Sequence, residues 1–254
     1  MRVVIAGTGT GVGKTHVSCA LLRRLRARGA RVIGLKPIET GLDSGLVTDQ
    51  SRLLRAASSA GDPGSAFHVK QAPAGGRPDE PFHVQPSPYG FGPAIAPHLA
   101  AWGAGQRIDI GLVRSWVIKA QQLNECAAII ETAGGLFTPL APGTTNLDLA
   151  FALEPVLVLL VAPDRLGVLH EITATLGLAT ARGRPVDAVT LSAPTNPDGS
   201  TGRNSTEIQK LGLGPIKAVF PRSSETSPAT QEAADLLARW LDPALTQRAD
   251  LGPT

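Results

Sequence analysis

The stretch GTGTGVGKT, residues 7–15, contains the residue types that hold phosphate groups in proteins. Glycines let backbone N–H groups converge on phosphate oxygens, while Lys14 can neutralise the terminal phosphates and Thr15 can ligate Mg²⁺. The usual phosphate loop has four residues between its first Gly and the Gly-Lys-Thr end, whereas five residues separate Gly7 from Gly13 here. An apolar segment precedes the stretch and an amphipathic one follows it. This context favours a lengthened phosphate loop over a tight glycine turn with a surface lysine.

Three more charged residues stand beside apolar segments. Lys36 ends RVIGLK, Asp49 opens the segment DQSRLLRAAS, and Glu131 closes the apolar part of IIETAGG. Taken alone, Lys36 would be a solvated strand-end lysine and Asp49 a helix cap. Glu131 is different, because a carboxylate at the end of an apolar strand is costly without a cation or donor nearby. Beside a phosphate loop, it favours a bound Mg²⁺ over a simple ion pair.

Alternating strands and helices are expected to position these residues. Short apolar runs predict strands at 2–6, 31–36, 126–135, 155–162, 186–193 and 214–221. Helical spacing of apolar residues predicts helices at 14–29, 49–58, 109–125 and 167–182, and a last one from Ser227-Pro228 to RWLDP. The pattern predicts a single α/β domain with a mostly parallel sheet flanked by helices, which binds ligands at the strands' C-terminal ends. Pro and Gly crowd residues 59–97, which predicts a long loop.

Composition narrows the classes of function. The chain has 254 residues, 43% of them hydrophobic and 18% charged, which suits one globular domain. Its net charge of only +3 does not indicate a nucleic-acid partner. Cys19 and Cys126 have no metal-site or disulfide spacing, so we expect two reduced core residues. No leader pattern follows Met1, and the longest apolar run, 156–162, is too short to span a bilayer. We therefore expect a cytoplasmic protein without a membrane partner.

Four motifs in one order resemble those of a known family. They are GT-x-T-x-VGKT, KP-x-x-(S/T)G, an Asp-headed helix and E-x-AGG, and APHLAA, FTPL and LG also match. Over residues 2 to about 222 this order resembles dethiobiotin synthetase, whose phosphate loop has the same lengthened spacing. The resemblance implies a P-loop NTPase fold and an ATP- and Mg²⁺-dependent ligase of biotin biosynthesis. Such an enzyme converts 7,8-diaminopelargonic acid and CO₂ into dethiobiotin through a carbamate and a carbamic-phosphoric mixed anhydride.

The resemblance also implies roles for individual residues. The residues implied in catalysis are Lys14, Lys36 and Thr10. The nucleotide, ATP or another nucleoside triphosphate, would contact Gly9, Gly11, Val12, Gly13, Lys14, Thr15, His16, Glu131 and Ser192. The diamino acid would contact Thr10, Lys36, Thr40 and, from the partner in a homodimer, Gly167, Val168, Leu169 and His170. Mg²⁺ would be held by Thr15, Asp49 and Glu131.

Three positions depart from the family pattern. Thr132 replaces the first glycine of the usual E-G-A-G-G, which predicts crowding of the backbone near the phosphates. His170 stands where an Asn is usual, which puts recognition of the substrate's tail in question. The alternative is that His170 is a partly exposed helix histidine without a role. Ser192 replaces an Asn that reads adenine in some members, which predicts a relaxed choice of nucleotide unless Asn196 substitutes for it.

Alternative functions remain open from the sequence. A related P-loop ligase would share the loop but act on another substrate, although Lys36 and the following ETG favour the dethiobiotin interpretation. A nucleotide-binding switch ATPase would typically have another lysine near the start of the loop, where residues 8–11 are Thr-Gly-Thr-Gly. A homologue that binds nucleotide without turnover is the third alternative.

Overall fold

The computed structural model describes residues 1–58 and 84–246, with the side chains of the last helix described as far as Leu241. The strands are β1 (Arg2–Gly7), β2 (Val32–Leu35), β3 (Ile38–Thr40), β4 (Tyr89–Phe91), β5 (Ala127–Glu131), β6 (Pro139–Ala141), β7 (Thr144–Thr145), β8 (Leu157–Pro163), β9 (Ala188–Ser192) and β10 (Ile216–Phe220). The helices are α1 (Lys14–Ala27), α2 (Asp49–Ala57), α3 (Pro97–Gly103), α4 (Ile110–Asn124), α5 (Asn146–Ala152), α6 (Val168–Ala181), α7 (Asn204–Lys210) and α8 (Pro228–Thr246), with a 3₁₀ turn at Leu42–Ser44.

Six strands form one parallel sheet in the order β10-β9-β8-β1-β5-β2. The central strand β1 therefore has β8 on one side and β5 on the other. Ile5 pairs with Glu131, and Leu35 of β2 pairs with Ile130 of β5. Because Lys36 directly follows Leu35, this register brings Lys36 level with Glu131 at the C-terminal edge of the sheet.

Helices cover both faces of the sheet, as alternate residues of β8 show. Leu159 and Val161 pack into the larger core cluster, whereas Leu160 and Ala162 pack into a second cluster with α6 and α7. All four side chains have at most 1% of their surface exposed. Burial on both faces explains why this strand is a continuous apolar run without polar alternation. The predicted α/β architecture with a mostly parallel sheet is confirmed.

The prediction of individual elements needs four corrections. The strand predicted at 126–135 ends at Glu131, and the glycines after it form a turn. Of the loop predicted at 59–97, residues 59–83 lie outside the described chain, whereas Tyr89–Phe91 form β4, which pairs with β3. The helices α3, α5 and α7 were not predicted, because seven residues are too few for a clear helical period. The last helix continues beyond RWLDP to Thr246, the last described residue.

No helix within residues 1–58 and 84–246 is long and apolar enough to cross a membrane.

Candidate active site

Two cavities lie at the C-terminal edge of the sheet, one on each side of the loop that follows β1. The larger, of about 780 Å³, lies over β1, β5 and β2, and its lining includes Thr10, Lys14, Thr15, Lys36, Thr40, Asp49 and Glu131. The smaller, of about 390 Å³, lies over β8, β9 and β10, and its lining includes Thr10, Gly11, Val12, Gly13, His16 and Ser192. Thr10, Gly11, Gly13 and His16 line both cavities, so one elongated ligand can occupy both.

The loop adopts a conformation that needs its glycines. Gly11 and Gly13 have φ values of 71° and 96°, in the left-handed region where a side chain is strained. Gly13 directly precedes α1, so the loop delivers its ligand to a helix N-terminus. Lys14 turns back over the loop and donates its Nζ proton to the Gly9 carbonyl oxygen at 2.8 Å. This arrangement supports the interpretation of residues 7–15 as a lengthened phosphate loop.

Lys36 and Glu131 form a buried ion pair at the bottom of the larger cavity. The Lys36 Nζ atom lies 2.6 Å from Glu131 Oε1 and 3.5 Å from Asp49 Oδ2. The Thr15 hydroxyl donates to the same Glu131 Oε1 atom at 2.9 Å. Glu131 Oε2 is buried and has no hydrogen-bond partner among the described residues. The three residues named for Mg²⁺, Thr15, Asp49 and Glu131, are thus gathered around Lys36.

The two lysines have opposite electrostatic surroundings. Burial, and then the charge of Lys36, lowers the pKa of Lys14 to about 8, although Glu131 and Asp49 oppose this shift. Burial would also lower the pKa of Lys36, but the Glu131 and Asp49 carboxylates outweigh it and raise that pKa above its ordinary value. Lys36 therefore stays charged near neutral pH. The pKa of Lys14 lies closer to neutral pH, and an anionic ligand would stabilise the charged form of this lysine.

The donor set fits a magnesium ion bound together with phosphate. The buried Glu131 Oε2 atom lacks a partner, and hydroxyl and carboxylate oxygens are the ligands that Mg²⁺ prefers. No cluster of three or more His, Cys, Asp or Glu residues able to hold a metal occurs in the described parts of the chain. Such a cluster is not needed here, because Mg²⁺ at phosphate sites keeps several waters and shares the phosphate oxygens.

Glu39, which the sequence did not indicate, also lines the larger cavity. Its carboxylate accepts the backbone N–H of Asp49 at 2.5 Å and that of Gln50 at 3.3 Å, at the start of α2. Burial raises the pKa of Glu39, against the effect of these two hydrogen bonds. Thr48 is the N-cap residue of α2, with its side chain accepting from Ser51 N. Glu39 and Thr48 together fix Asp49 at the first helical position.

Ser192 lies in the smaller cavity but is turned toward the loop. A Cβ atom built on Gly13 would lie 2.3 Å from the Ser192 Oγ atom, so the Ser192 side chain packs against the Gly13 backbone. Asn196, the possible substitute, is exposed and does not line this cavity. The cavity also includes Arg165 and Arg222, which the sequence did not indicate. No amide side chain is present among its described lining residues.

The start of α6 lies outside both cavities. Gly167 and His170 are exposed and Leu169 is half-buried, whereas the Val168 side chain is fully buried. The Val168 N–H donates to the Arg165 carbonyl oxygen, which makes it unavailable to a ligand. Within the described chain, no hydrogen bond engages the N–H groups of Leu169 and His170. The structure therefore does not bring these four residues to the cavities of the same chain.

Thr132 does not crowd the larger cavity, contrary to the expectation from its departure from glycine. Its side chain is 1% exposed, is absent from the cavity lining and donates to the Ile5 carbonyl oxygen at 3.4 Å. Its own carbonyl oxygen accepts from Lys36 Nζ at 3.3 Å. The threonine side chain thus points into the sheet, and its backbone helps to hold Lys36.

The fold and the site define a P-loop nucleoside-triphosphate-binding α/β protein. A sequence model of the AAA domain family matches residues 1–230. The MinC:MinD cell division protein complex of Aquifex aeolicus has a chain with a TM-score of 0.57 at 16% identity, with 96% of each chain covered. That likeness concerns the fold alone.

Sequence relatives narrow the class to one family. An ATP-dependent dethiobiotin synthetase BioD of Anaeromyxobacter dehalogenans (strain 2CP-C) is 32% identical over 237 residues, 92% of this chain and 96% of that protein. The protein of the same description from Caulobacter sp. (strain K31) is 36% identical over 192 residues, 74% of each chain. The chain belongs to the ATP-dependent dethiobiotin synthetase family.

Proposed function

We propose that this chain closes the ureido ring of dethiobiotin from 7,8-diaminopelargonic acid, CO₂ and ATP. The observation that carries the proposal is that Lys36, from the motif after β2, reaches the same cavity as the phosphate-loop residues Lys14 and Thr15. A nucleotide switch needs only the phosphate loop. A second buried cation beside the loop suits an enzyme that brings another anion, here a carbamate, to the terminal phosphate.

The reaction proceeds in three steps in this interpretation. One substrate amine adds to CO₂ and loses a proton, which gives a carbamate. A carbamate oxygen attacks the γ-phosphorus, ADP leaves, and a carbamic-phosphoric mixed anhydride forms. The second amine then attacks the carbonyl carbon, phosphate leaves and the ring closes. Lys14 and Lys36 neutralise the carbamate and the γ-phosphate, and Thr10 and Thr40 hydrogen-bond the substrate head. No protein nucleophile is required, so positioning and electrostatics supply the rate.

Mg²⁺ supplies charge neutralisation at the phosphates when bound, and Thr15, Asp49 and Glu131 would hold it, directly or through water. The Thr15 hydroxyl and Glu131 Oε1 bond each other in the structure, and Lys36 shares the same oxygen. Binding of the metal nucleotide would replace these contacts. The adenine would occupy the smaller cavity beside His16 and Ser192, and Gly9, Gly11, Val12 and Gly13 would surround the phosphates.

A homodimer would complete the substrate site. In the family, the substrate's distant carboxylate meets a helix N-terminus of the partner chain, and here that helix would be α6 with Gly167, Val168, Leu169 and His170. Leu166 is 74% exposed, and the N–H groups of Leu169 and His170 make no hydrogen bond within the described chain; both observations support this assignment. Because the Val168 N–H is already bonded, Val168 would contribute its position in the turn and not a donor.

Two lysine substitutions test the assignment of roles. Lys36→Ala should abolish dethiobiotin formation but leave ATP binding largely intact, whereas Lys14→Ala should weaken ATP binding itself. Lys36→Arg keeps a cation beside Glu131 and controls for folding, and we expect it to form little product because its planar group is placed differently. Lys210→Ala, at a lysine 65% exposed in its side chain on α7, is the matched control. Near-normal product formation by Lys36→Ala would refute the substrate-site assignment.

A further inference from the structure

The first residue of the loop after Gly7 is tied to a helix on another part of the chain. The Thr8 hydroxyl donates to Glu171 Oε2 at 3.0 Å, across 163 residues of sequence. Glu171 lies in the first turn of α6, and Arg165 holds its other oxygen, with Nη2 2.6 Å from Oε1. We propose that Glu171 is a positioning residue that holds the phosphate loop in its ligand-binding conformation through Thr8.

Two other contacts hold parts of the loop: Lys14 Nζ bonds the Gly9 carbonyl oxygen at 2.8 Å, and the Val12 side chain, 6% exposed, packs into the core. Thr10 and Gly11, between Gly9 and Val12, are exposed, so anchors at the start of the loop also influence where its N–H groups point. There, the Thr8 N–H donates to the Val161 carbonyl oxygen at 3.0 Å, and Gly7 accepts from Leu136 N at 2.7 Å. These bonds hold the backbone to the end of the sheet. The Thr8 side chain supplies a third anchor in a different direction, toward α6.

The Glu171 carboxylate is itself well oriented. Arg165 donates to the Leu166 carbonyl oxygen at 2.9 Å as well as to Glu171, and the Leu166 N–H donates to Asp198 at 2.8 Å. A carboxylate in the first turn of a helix is favoured by the helix dipole. Arg165 also lines the smaller cavity, so the contacts from Thr8 through Glu171 to Arg165 connect the phosphate loop with that cavity.

Loss of this anchor should weaken nucleotide binding more than turnover. A loop that is already ordered loses less conformational freedom on binding than a loose one. A hydrogen bond to a charged group is stronger than one between neutral groups, but partial exposure of Glu171 to water weakens this effect. We therefore expect about a fivefold rise in the Kd for ATP when the bond is lost. At saturating ATP and diamine, kcat should change by less than about twofold, because the chemical groups are untouched.

A double-mutant cycle on the Kd for ATP tests the proposal. The proposal rests on the proposed function only in requiring that the wild type binds ATP. Thr8→Val removes the donor with little change of shape, and Glu171→Ala removes the acceptor. Each should raise the Kd for Mg²⁺-ATP about fivefold, and the double variant should be no worse than either single one. Thr8→Ser, which keeps the hydroxyl, should restore wild-type affinity. Thr173→Val, later on α6, and Glu207→Ala, in the first turn of α7, are the matched controls.

Three results would overturn the proposal. Singles with wild-type affinity would show that the bond does not matter for binding. Effects that multiply in the double variant would show that Thr8 and Glu171 act independently. Failure of the wild type to bind ATP would remove both this proposal and the proposed function, whereas normal wild-type binding with unaffected variants would remove this proposal alone. If Glu171→Ala does not fold, Thr8→Val with its Thr8→Ser rescue tests the same bond.

Discussion

ATP binding should weaken as the pH rises through the titration range of Lys14. The pKa of Lys14 is about 8 in the free protein, because burial and Lys36 disfavour its charge. The protonated fraction then falls from about 0.9 at pH 7 to about 0.1 at pH 9. Phosphate oxygens favour the charged form, so the pKa rises on binding. A group whose pKa is higher in the complex stabilises the complex below its free pKa, and this contribution is lost as the pH rises above it.

The expected size follows from these fractions. If Lys14 alone titrates, the Kd for ATP should rise about tenfold between pH 7 and pH 9. Binding should take up about 0.8 proton at pH 8.5 and about 0.1 at pH 7. Two neighbours do not contribute at pH 8.5. The pKa of Lys36 is raised, so it stays charged, and the pKa of His16 is lowered by burial, so it stays neutral.

Isothermal titration calorimetry in two buffers of different ionisation enthalpy measures this proton uptake directly. The measurement belongs at pH 8.5, where the γ-phosphate of ATP is already fully ionised and releases no proton. Lys14→Met should bind more weakly and show no uptake, while Lys210→Met should match the wild type. Uptake below about 0.2 proton at pH 8.5, in a protein that binds ATP, would refute the reasoning about Lys14.

Three other predictions concern the same site. Gly13→Ala should weaken ATP binding at least about tenfold in a titration, because Gly13 has a φ of 96° and Ser192 occupies the space that a side chain would need. Gly177→Ala, at a position with open space, should leave the affinity unchanged. Equal affinities of the two variants would contradict this prediction. Lys36→Met should lower the free energy of unfolding by about 3–5 kcal/mol in urea, since it leaves the buried Glu131 carboxyl group without its cation. Adding Glu131→Gln should recover most of this loss. An unchanged midpoint would show that the pair is not buried as described. ATP, GTP and CTP should compete for the site within about tenfold of one another, because Ser192 packs on the loop and the described residues that line the smaller cavity include no amide to read the base. A hundredfold preference would contradict this account.

The sequence predicted the parts of the site that lie at the C-terminal ends of parallel strands. Lys36 and Glu131 each stand where a buried apolar run ends, and the C-terminal ends of parallel strands meet at one edge of a sheet. Their proximity was therefore predictable without side-chain contacts. The lengthened spacing between Gly7 and Gly13 was also interpretable, because the strand before it and the helix after it fixed its context.

Other parts depended on tertiary contacts that leave no periodic signal. Glu39 lies within a three-residue strand that the sequence did not predict. Its role in fixing the start of the next helix comes from accepting the N–H groups of Asp49 and Gln50. The bond between Thr8 and Glu171 joins residues far apart in sequence, and neither residue type is diagnostic. The direction of the Thr132 side chain was equally unpredictable, since the sequence gives a residue's volume but not the face of the sheet it enters.

The most direct test of the central claim is phosphate release from Mg²⁺-ATP with bicarbonate, in the presence and absence of 7,8-diaminopelargonic acid, with mass spectrometry of the same samples. We predict that release depends on the diamine and that dethiobiotin appears in step with phosphate. Release that is independent of the diamine, with no dethiobiotin formed, would contradict the proposed function and indicate a different P-loop ligase or a nucleotide switch.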